Sequence, residues 1–383
     1  MIPRFKPSLN WRELLSLFRL NRGAVERFEK SFAEKFQAVE AVAFPYGRSA
    51  QWAFLKAVGV NDSEIVMPAY TCSVVAHAVT LSGNEPKFVD INLDDYNMNL
   101  DLAETSINER TRCIIATHTF GFPQDLDRLE NIVKKAEKKY GHKIWLMQDC
   151  CHAFGAKWNN RMISDSGDVS VFAFNISKIM TSVFGGMLTF QNKNLASKVR
   201  KWRDENYRKA SLKKKIMRRL YLLCVYFAFN KFAYSMIHWL QHKTPFLNRF
   251  TKAYHLDNKI HFPPDFLMHM ANVEAEVGLV QLKKYDEIID SRRLMADQYL
   301  KEFQCKEDWK LPPVIKGSTF SHFPVKVKSR SSLVKEYVKK GIELGTLIDY
   351  SIDALPCYES LKTFCPNSRE CSSTMVNFPV SRN

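Results

Sequence analysis

The apolar run Leu220–Phe229, ten residues with no polar group but Tyr hydroxyls, is too short to span a bilayer, which takes about 20. Met1 to Pro7 has neither an apolar core nor a small-residue cleavage site, so a chain without a secretory leader is expected. Cysteine occurs nine times, an odd number, and never at the two-residue spacing of a zinc knuckle; Cys150 and Cys151 are adjacent. Reduced thiols in a cytoplasmic protein, and no metal site, are the expectation. There is no internal repeat and no low-complexity tract. Hydrophobic residues at 46% and charged residues at 25% exclude disorder, collagen and coiled coil. Acids are scarce: 40 Asp and Glu face 56 Lys and Arg, a net charge of +16. That surplus suits nucleic acid, an anionic membrane face or a phosphate-bearing substrate.

The 383 residues are enough for one large domain and a lesser one. Residues 10–40 read as helix, with Phe28, Phe32 and Phe36 at four-residue spacing. Short apolar runs then alternate with helical patterns. Strands are expected at Ala41–Phe44, Ile65–Met67, Lys87–Ile91, Cys113–Thr117, Ile144–Met147, Val169–Phe174 and Met187–Phe190. Helices are expected at Ala50–Val58, Ser73–Leu81 and Leu126–Lys139. Such alternation implies right-handed crossovers and an α/β fold with a mostly parallel sheet. After about residue 290 the pattern changes to a strand at Thr319–Lys328, a helix at Ser331–Lys340 and loops rich in Cys and Pro. The expected division is a large domain over residues 1–290, with the N-terminal helix, and a small α+β domain over 291–383.

An insertion at residues 198–240 breaks the pattern. Lys198 to Arg219 holds eleven basic residues, opposed within the segment by Asp204 and Glu205 alone, and the apolar run follows with Phe232, Tyr234 and Trp239 behind it. Either this is a buried helix with a solvated basic lead-in, or it lies at a membrane surface with its basic residues among anionic headgroups. A nucleic-acid face has less behind it, because no base-reading motif or zinc finger accompanies the charge.

Three places carry chemistry. Asp149 closes an apolar strand, at the end where open α/β sheets bind ligands, and Cys150-Cys151-His152-Ala153-Phe154-Gly155 follows at once. A lone Asp there is commonly a helix cap or a solvated acid, but here a His stands three residues on. Lys178 lies between the strand ending at Phe174 and the Gly185-Gly186 turn, with apolar sequence on both sides. Such a setting desolvates an amine and lowers its pKa, as Schiff-base chemistry requires. Tyr46-Gly47-Arg48-Ser49-Ala50 is a strand–turn–helix junction where backbone N–H groups, an Arg and a Ser hydroxyl can hold a phosphate.

Phosphate cradle, strand-end Asp and Lys, in that order, resemble a pyridoxal phosphate enzyme of the aspartate-aminotransferase fold (fold type I). The chain is similar to the DegT/DnrJ/EryC1/StrS family, sugar aminotransferases of bacterial surface-polysaccharide and antibiotic pathways. The likeness is carried by Phe28–Ala33, Gly47–Ala50, Pro68–Thr71, Val89–Ile91, His118–Gly121, Gln148–Gly155, Ser177-Lys178, Gly185–Met187 and Asn272–Leu282, and runs from about Val25 to Arg292. It implies that Lys178 attaches the cofactor and moves the proton, that Asp149 binds the pyridinium nitrogen, and that His152 lies near the phenolic oxygen. Gly47, Arg48 and Ser49 would hold the phosphate.

The chain also departs from the family. Cys72 stands where an aromatic usually stacks on the pyridine ring, and Cys151 where a small Ala packs the other face, so the cofactor lies between two sulfurs or Tyr70 compensates. Ala173 replaces a phosphate-binding Ser, leaving Ser177 as substitute. Leu267-Met268-His269-Met270 replaces a motif whose Asn reaches the neighbouring subunit's phosphate, and Val380–Asn383 falls some tens of residues short of the family's usual end.

The resemblance implies a homodimeric, cytoplasmic aminotransferase, passing the amino group of an amino acid, glutamate as a rule, to a keto-sugar nucleotide. Family dehydratases carry His in place of the lysine, so Lys178 argues against that branch. The alternative is a pyridoxal phosphate enzyme or inactive relative at the inner face of the membrane, acting on a lipid-linked or amino-acid substrate. Nucleic acid is not an expected partner.

Overall fold

The computed structural model describes residues 1–19, 21–230, 233–236 and 259–381. Phe232 and Trp239 lie outside the described residues.

The N-terminal stretch expected as one helix is two: α1 (Trp11–Ser16) and α2 (Ala24–Lys35). Asn10 and Glu13 form a capping box that starts α1, and Gly23, at φ 71°, opens α2 from a left-handed turn that other residues rarely adopt. Phe28, Phe32 and Phe36 do share one face. Phe32 meets Phe172 at 5.0 Å between ring centroids and Phe28 meets Phe174 at 5.4 Å, so the spacing read from the sequence becomes an aromatic core.

Strands and helices then alternate: β1 (Glu40–Phe44), α3 (Gly47–Ala57), β2 (Glu64–Pro68), α4 (Ser73–Leu81), β3 (Glu85–Val89), α5 (Leu100–Ser106), β4 (Thr111–Thr117), α6 (Leu126–Tyr140) and β5 (Trp145–Asp149). A two-residue hairpin, β6 (Lys157–Trp158) and β7 (Arg161–Met162), precedes β8 (Val169–Ala173) and β9 (Gly186–Phe190). Seven strands form one sheet in the order β1-β9-β8-β5-β4-β2-β3. All but β9 run the same way; β9 is antiparallel to both its neighbours. Helices cover both faces, so β2 and β9 are buried at every position and are mostly apolar, Glu64 and Thr189 being the exceptions.

Beyond the sheet come α7 (Lys193–Asn206), α8 (Leu212–Ala228), α9 (Asn272–Lys283) and α10 (Tyr285–Phe303). α9 packs so closely on α2 that a Cβ at Gly278 would come within 2.5 Å of the Phe28 ring. The 19-residue α10 runs across the boundary expected near residue 290. It leads to a three-stranded antiparallel sheet of β10 (Trp309–Lys310), β11 (Phe323–Val327) and β12 (Met375–Phe378), with α11 (Arg330–Lys339) and α12 (Pro366–Thr374). Tyr70, Ile91, Phe120 and Phe122 from the large sheet's end share one core with this unit. The first residues join it too, through Ile2 N–H to Gly341 O at 2.7 Å and Glu343 N–H to Ile2 O at 2.9 Å.

The basic segment finds acids that its own sequence lacks. Arg200 binds Glu29 and Glu40, Arg203 binds Glu29 at 2.7 Å, and Arg218 binds Asp265 at 2.7 Å and Glu274 at 2.8 Å. Lys214 is buried, so this stretch is not a uniformly solvated basic face. Leu222 and Val225 are buried as well, while Leu212, Ile216, Met217, Leu220 and Phe227 are exposed on α8. Among the described residues no helix is long and apolar enough to cross a membrane. All nine cysteines are free thiols.

Candidate active site

The parallel strands end on one side of the sheet, and their last residues open a cleft of about 700 Å³ including its mouth. β1 delivers Tyr46, Gly47 and Arg48, β2 delivers Thr71 and Cys72, β4 Thr117, β5 Asp149, and β8 Ala173 and Asn175. Of the residues singled out from the sequence, Gly47, Arg48, Cys72, Asp149, His152 and Lys178 line this cleft together. Ser49 and Ser177 do not. Ser49 Oγ is buried in α3 without a hydrogen-bond partner, and the Ser177 hydroxyl donates to Asn175 Oδ1 at 2.6 Å.

Asp149 is neither a solvated acid nor a helix cap. Its side chain is buried; Oδ1 accepts the Cys151 N–H at 3.0 Å and Oδ2 accepts the Thr117 hydroxyl at 3.3 Å. Among the described residues no cation lies within ion-pair distance, so this buried carboxylate lacks a counter-charge. Burial, the positive charge of Lys178 and the neighbouring His322 hold His152 well below the usual imidazole range, so it is neutral. Its Nδ1 is buried with no partner. Lys178 lies in the turn between β8 and β9, half-buried, its backbone N–H donating to Asn175 O at 3.1 Å.

The floor of the cleft is tight where the chain turns into α3. A Cβ on Gly47 would come 2.7 Å from Ala173 Cβ. No side chain caps α3, so its first N–H groups are left to an outside acceptor, and Arg48 stands beside them. Cys72, the residue before α4, and Cys151 both face the cleft; burial raises the Cys151 thiol well above its usual range and keeps it protonated. Tyr70 does not compensate for the missing aromatic: it is fully buried against Phe120, 6.2 Å between centroids, away from the cleft.

The cleft also uses residues that carried no signal of their own. Thr117, Asn175 and Phe184 line it, and each looks in sequence like an ordinary strand-end or turn residue. His322, one residue before β11, brings its ring to 5.7 Å from that of His152. Only the packing of the small sheet on the large one joins those two histidines.

A pyridoxal phosphate fits this set: an uncapped helix start with Arg48 for the phosphate, an uncompensated carboxylate for a protonated pyridine nitrogen, an orphaned imidazole nitrogen for a phenolic oxygen, and an amine on the same wall. GDP-perosamine synthase of Escherichia coli O157:H7 is 24% identical to this chain over 395 residues, 99% of this chain and 93% of that protein. The crystal structure of the sugar aminotransferase CalS13 from Micromonospora echinospora superposes with a TM-score of 0.78 at 22% identity, covering 99% of this chain and 95% of that one. The aminotransferase TlmJ from Streptoalloteichus hindustanus gives 0.76 at 20% identity over 99% and 93%. The family likeness is wider than the span from Val25 to Arg292 suggested, taking in the end of α1 and the whole small sheet. Residues 14–383 match the model of the DegT/DnrJ/EryC1/StrS aminotransferase family, and the chain belongs to that family.

Proposed function

We propose that this protein is a pyridoxal-phosphate-dependent aminotransferase that moves an amino group from an amino acid, glutamate first among candidates, to a keto-sugar nucleotide. One observation carries the reading: a buried carboxylate without a counter-ion, Asp149, on the same cleft as Lys178, over the uncapped start of α3. When bound, the cofactor supplies an electron sink next to the carbon that loses or gains the amine. The chain supplies the rest. Lys178 Nζ holds the cofactor, and when freed by the amino donor it takes the proton from the donor's α-carbon and later returns a proton to the acceptor. Asp149, steadied by the Cys151 N–H and the Thr117 hydroxyl, keeps the pyridine nitrogen protonated. His152 offers its free Nδ1 to the phenolic oxygen. Gly47 and Arg48 hold the phosphate, while Ser49 and Ser177 lend it no side chain. A sugar-nucleotide substrate is supported by relatives such as the GDP-perosamine synthase. The alternative, a lipid-linked or amino-acid substrate, lacks support of that kind.

The test is a spectrum of purified protein before and after candidate amino donors. Conversion of the aldehyde-form band to the amine-form band by one donor proves half of the reaction and names the donor. No conversion by any of the common amino acids would refute it.

The same reading includes a cytoplasmic homodimer, which a persistent monomer with bound cofactor in sedimentation at micromolar concentration would overturn. It also includes a peripheral contact with an anionic membrane. That contact is supported by the exposed stripe Leu212, Ile216, Met217, Leu220 and Phe227, flanked by exposed Lys213 on a helix with no acidic residue.

A further inference from the structure

Tyr46 and Phe184 make one corner of the cleft, ring centroids 5.8 Å apart. Behind both lies one guanidinium. Arg218 of α8 places its Cζ 4.2 Å from the centre of the Phe184 ring and 5.5 Å from that of Tyr46. It donates to the Tyr46 hydroxyl and to Asp265 Oδ2, each at 2.7 Å, and its Nε donates to Glu274 Oε1 at 2.8 Å. The Tyr46 hydroxyl in turn donates to Asp265 Oδ1 at 2.6 Å. Lys214, one turn earlier, lies 3.5 Å from Asp265 and donates to His269 O at 3.1 Å. Two cations and two carboxylates thus balance. Burial pushes the Tyr46 phenol far above its usual range, so it stays a neutral donor.

Tyr46 leads straight into the cleft floor. Its carbonyl starts α3, accepting the Ala50 N–H at 3.0 Å, and the next two residues are Gly47 and Arg48. Its carbonyl carbon and oxygen are so close to Gly186 that a Cβ there would come within 2.4 Å. Backbone packing clamps this junction on one side and the Arg218 cluster holds its side chain on the other. We infer that Arg218 is a positioning residue for the cofactor's phosphate, acting through Tyr46 to fix where the first N–H groups of α3 point. The inference rests on the reading of the cleft as a pyridoxal phosphate site. It gives α8, part of the basic segment that breaks the sequence pattern, a task at the active site.

The test titrates pyridoxal phosphate into the apo forms of wild type, Arg218→Met, Arg218→Lys and Tyr46→Phe, reading absorbance, the visible circular dichroism of bound cofactor, and melting with and without it. Arg218→Met is expected to weaken cofactor affinity tenfold or more and to shrink the cofactor-induced rise in melting temperature. Arg218→Lys keeps the charge but lacks the fork that reaches Tyr46 and Glu274 together, so it should lose several-fold. Tyr46→Phe, which keeps the ring, should lose a similar amount and change the dichroic band. Inorganic phosphate should compete with the cofactor less well in each variant than in wild type. Lower apo melting with unchanged cofactor affinity and dichroism would make Arg218 merely structural and overturn the inference. Should Arg218→Met fail to fold, unchanged affinity in both other variants overturns it equally. Wild type that binds no pyridoxal phosphate would instead sink the reading of the site, and this inference with it.

Discussion

Replacing Asp149 with Asn exchanges one oxygen for an amide group and removes one charge. The surroundings accommodate it: Oδ1 still accepts the Cys151 N–H at 3.0 Å, and the Thr117 hydroxyl, now a donor at 3.3 Å, can turn to accept from the new amide. The apo protein should therefore melt within a few degrees of wild type, since one neutral hydrogen bond is worth about 1 kcal/mol. The cofactor suffers more. A hydrogen bond to a charged partner contributes about 1.5–3 kcal/mol, which is roughly 10- to 150-fold in affinity at 1.4 kcal/mol per decade. The chemical step should fall further, because the neutral amide no longer keeps the pyridine nitrogen protonated, and each 1.36 kcal/mol of lost transition-state stabilisation is about tenfold in rate. Cofactor titration of the apo variant measures the first effect, and a single-turnover half-reaction with the amino donor measures the second. Near-normal turnover in Asp149→Asn would remove Asp149 from the active site. A large fall in apo melting with binding and rate unchanged would make it a structural acid.

Lys178→Ala should abolish the borohydride-reducible cofactor adduct while leaving the fold intact; a reducible adduct in the variant would assign attachment to another lysine. His118, whose Nδ1 accepts the Gln124 N–H at 3.1 Å and whose Nε2 faces Gln148 Oε1 at 2.9 Å, has no place for a second proton, and burial lowers it from 6.5 to about 4. Between those values the unfolded chain binds the extra proton, so stability is full above pH 6.5 and falls as pH drops, by about 3 kcal/mol from this residue. His77, also lowered to about 4, acts in the same direction, and a melting temperature that stays flat from pH 6.5 to 4.5 would refute this. Wild type should float with anionic liposomes at low salt and detach near 1 M, where the Debye length is about 3 Å. Changing Leu212, Ile216, Leu220 and Phe227 to Ser should abolish flotation without altering the cofactor spectrum; wild type that ignores such liposomes removes the membrane contact.

The cleft was legible in sequence to the extent that its residues close apolar runs. Asp149 ends a buried strand, Gly47 and Cys72 each follow one by a few residues, and a parallel sheet gathers such positions at one end. Direction within an element was harder to read. Successive helix residues turn by about 100°, so Gly47 and Arg48 face the cleft while the next side chain, Ser49, is buried without a partner. Ser177 has a local partner that its sequence setting did not announce, since Asn175 Oδ1 accepts from both its N–H and its hydroxyl. The pairing of His152 with His322 depends on contacts across 170 residues of chain, and neither residue type nor spacing announces it.

Charge was the least legible property, and the reason bears on function. Counting neighbours in sequence left eleven basic residues facing two acids, but Glu29, Glu40, Asp265 and Glu274 arrive from distant elements to meet them. A buried ion pair is weak evidence for stability, because apolar residues of similar volume often do as well or better, while breaking one partner out costs about 3–5 kcal/mol. The four charges behind Tyr46 therefore do little for stability that a plain apolar core could not do. What such a core lacks is a fixed direction, whereas a guanidinium fork bound to two carboxylates and one phenol admits few arrangements. That kind of constraint is what the start of α3 would need in order to hold a phosphate as proposed, since no side chain caps it.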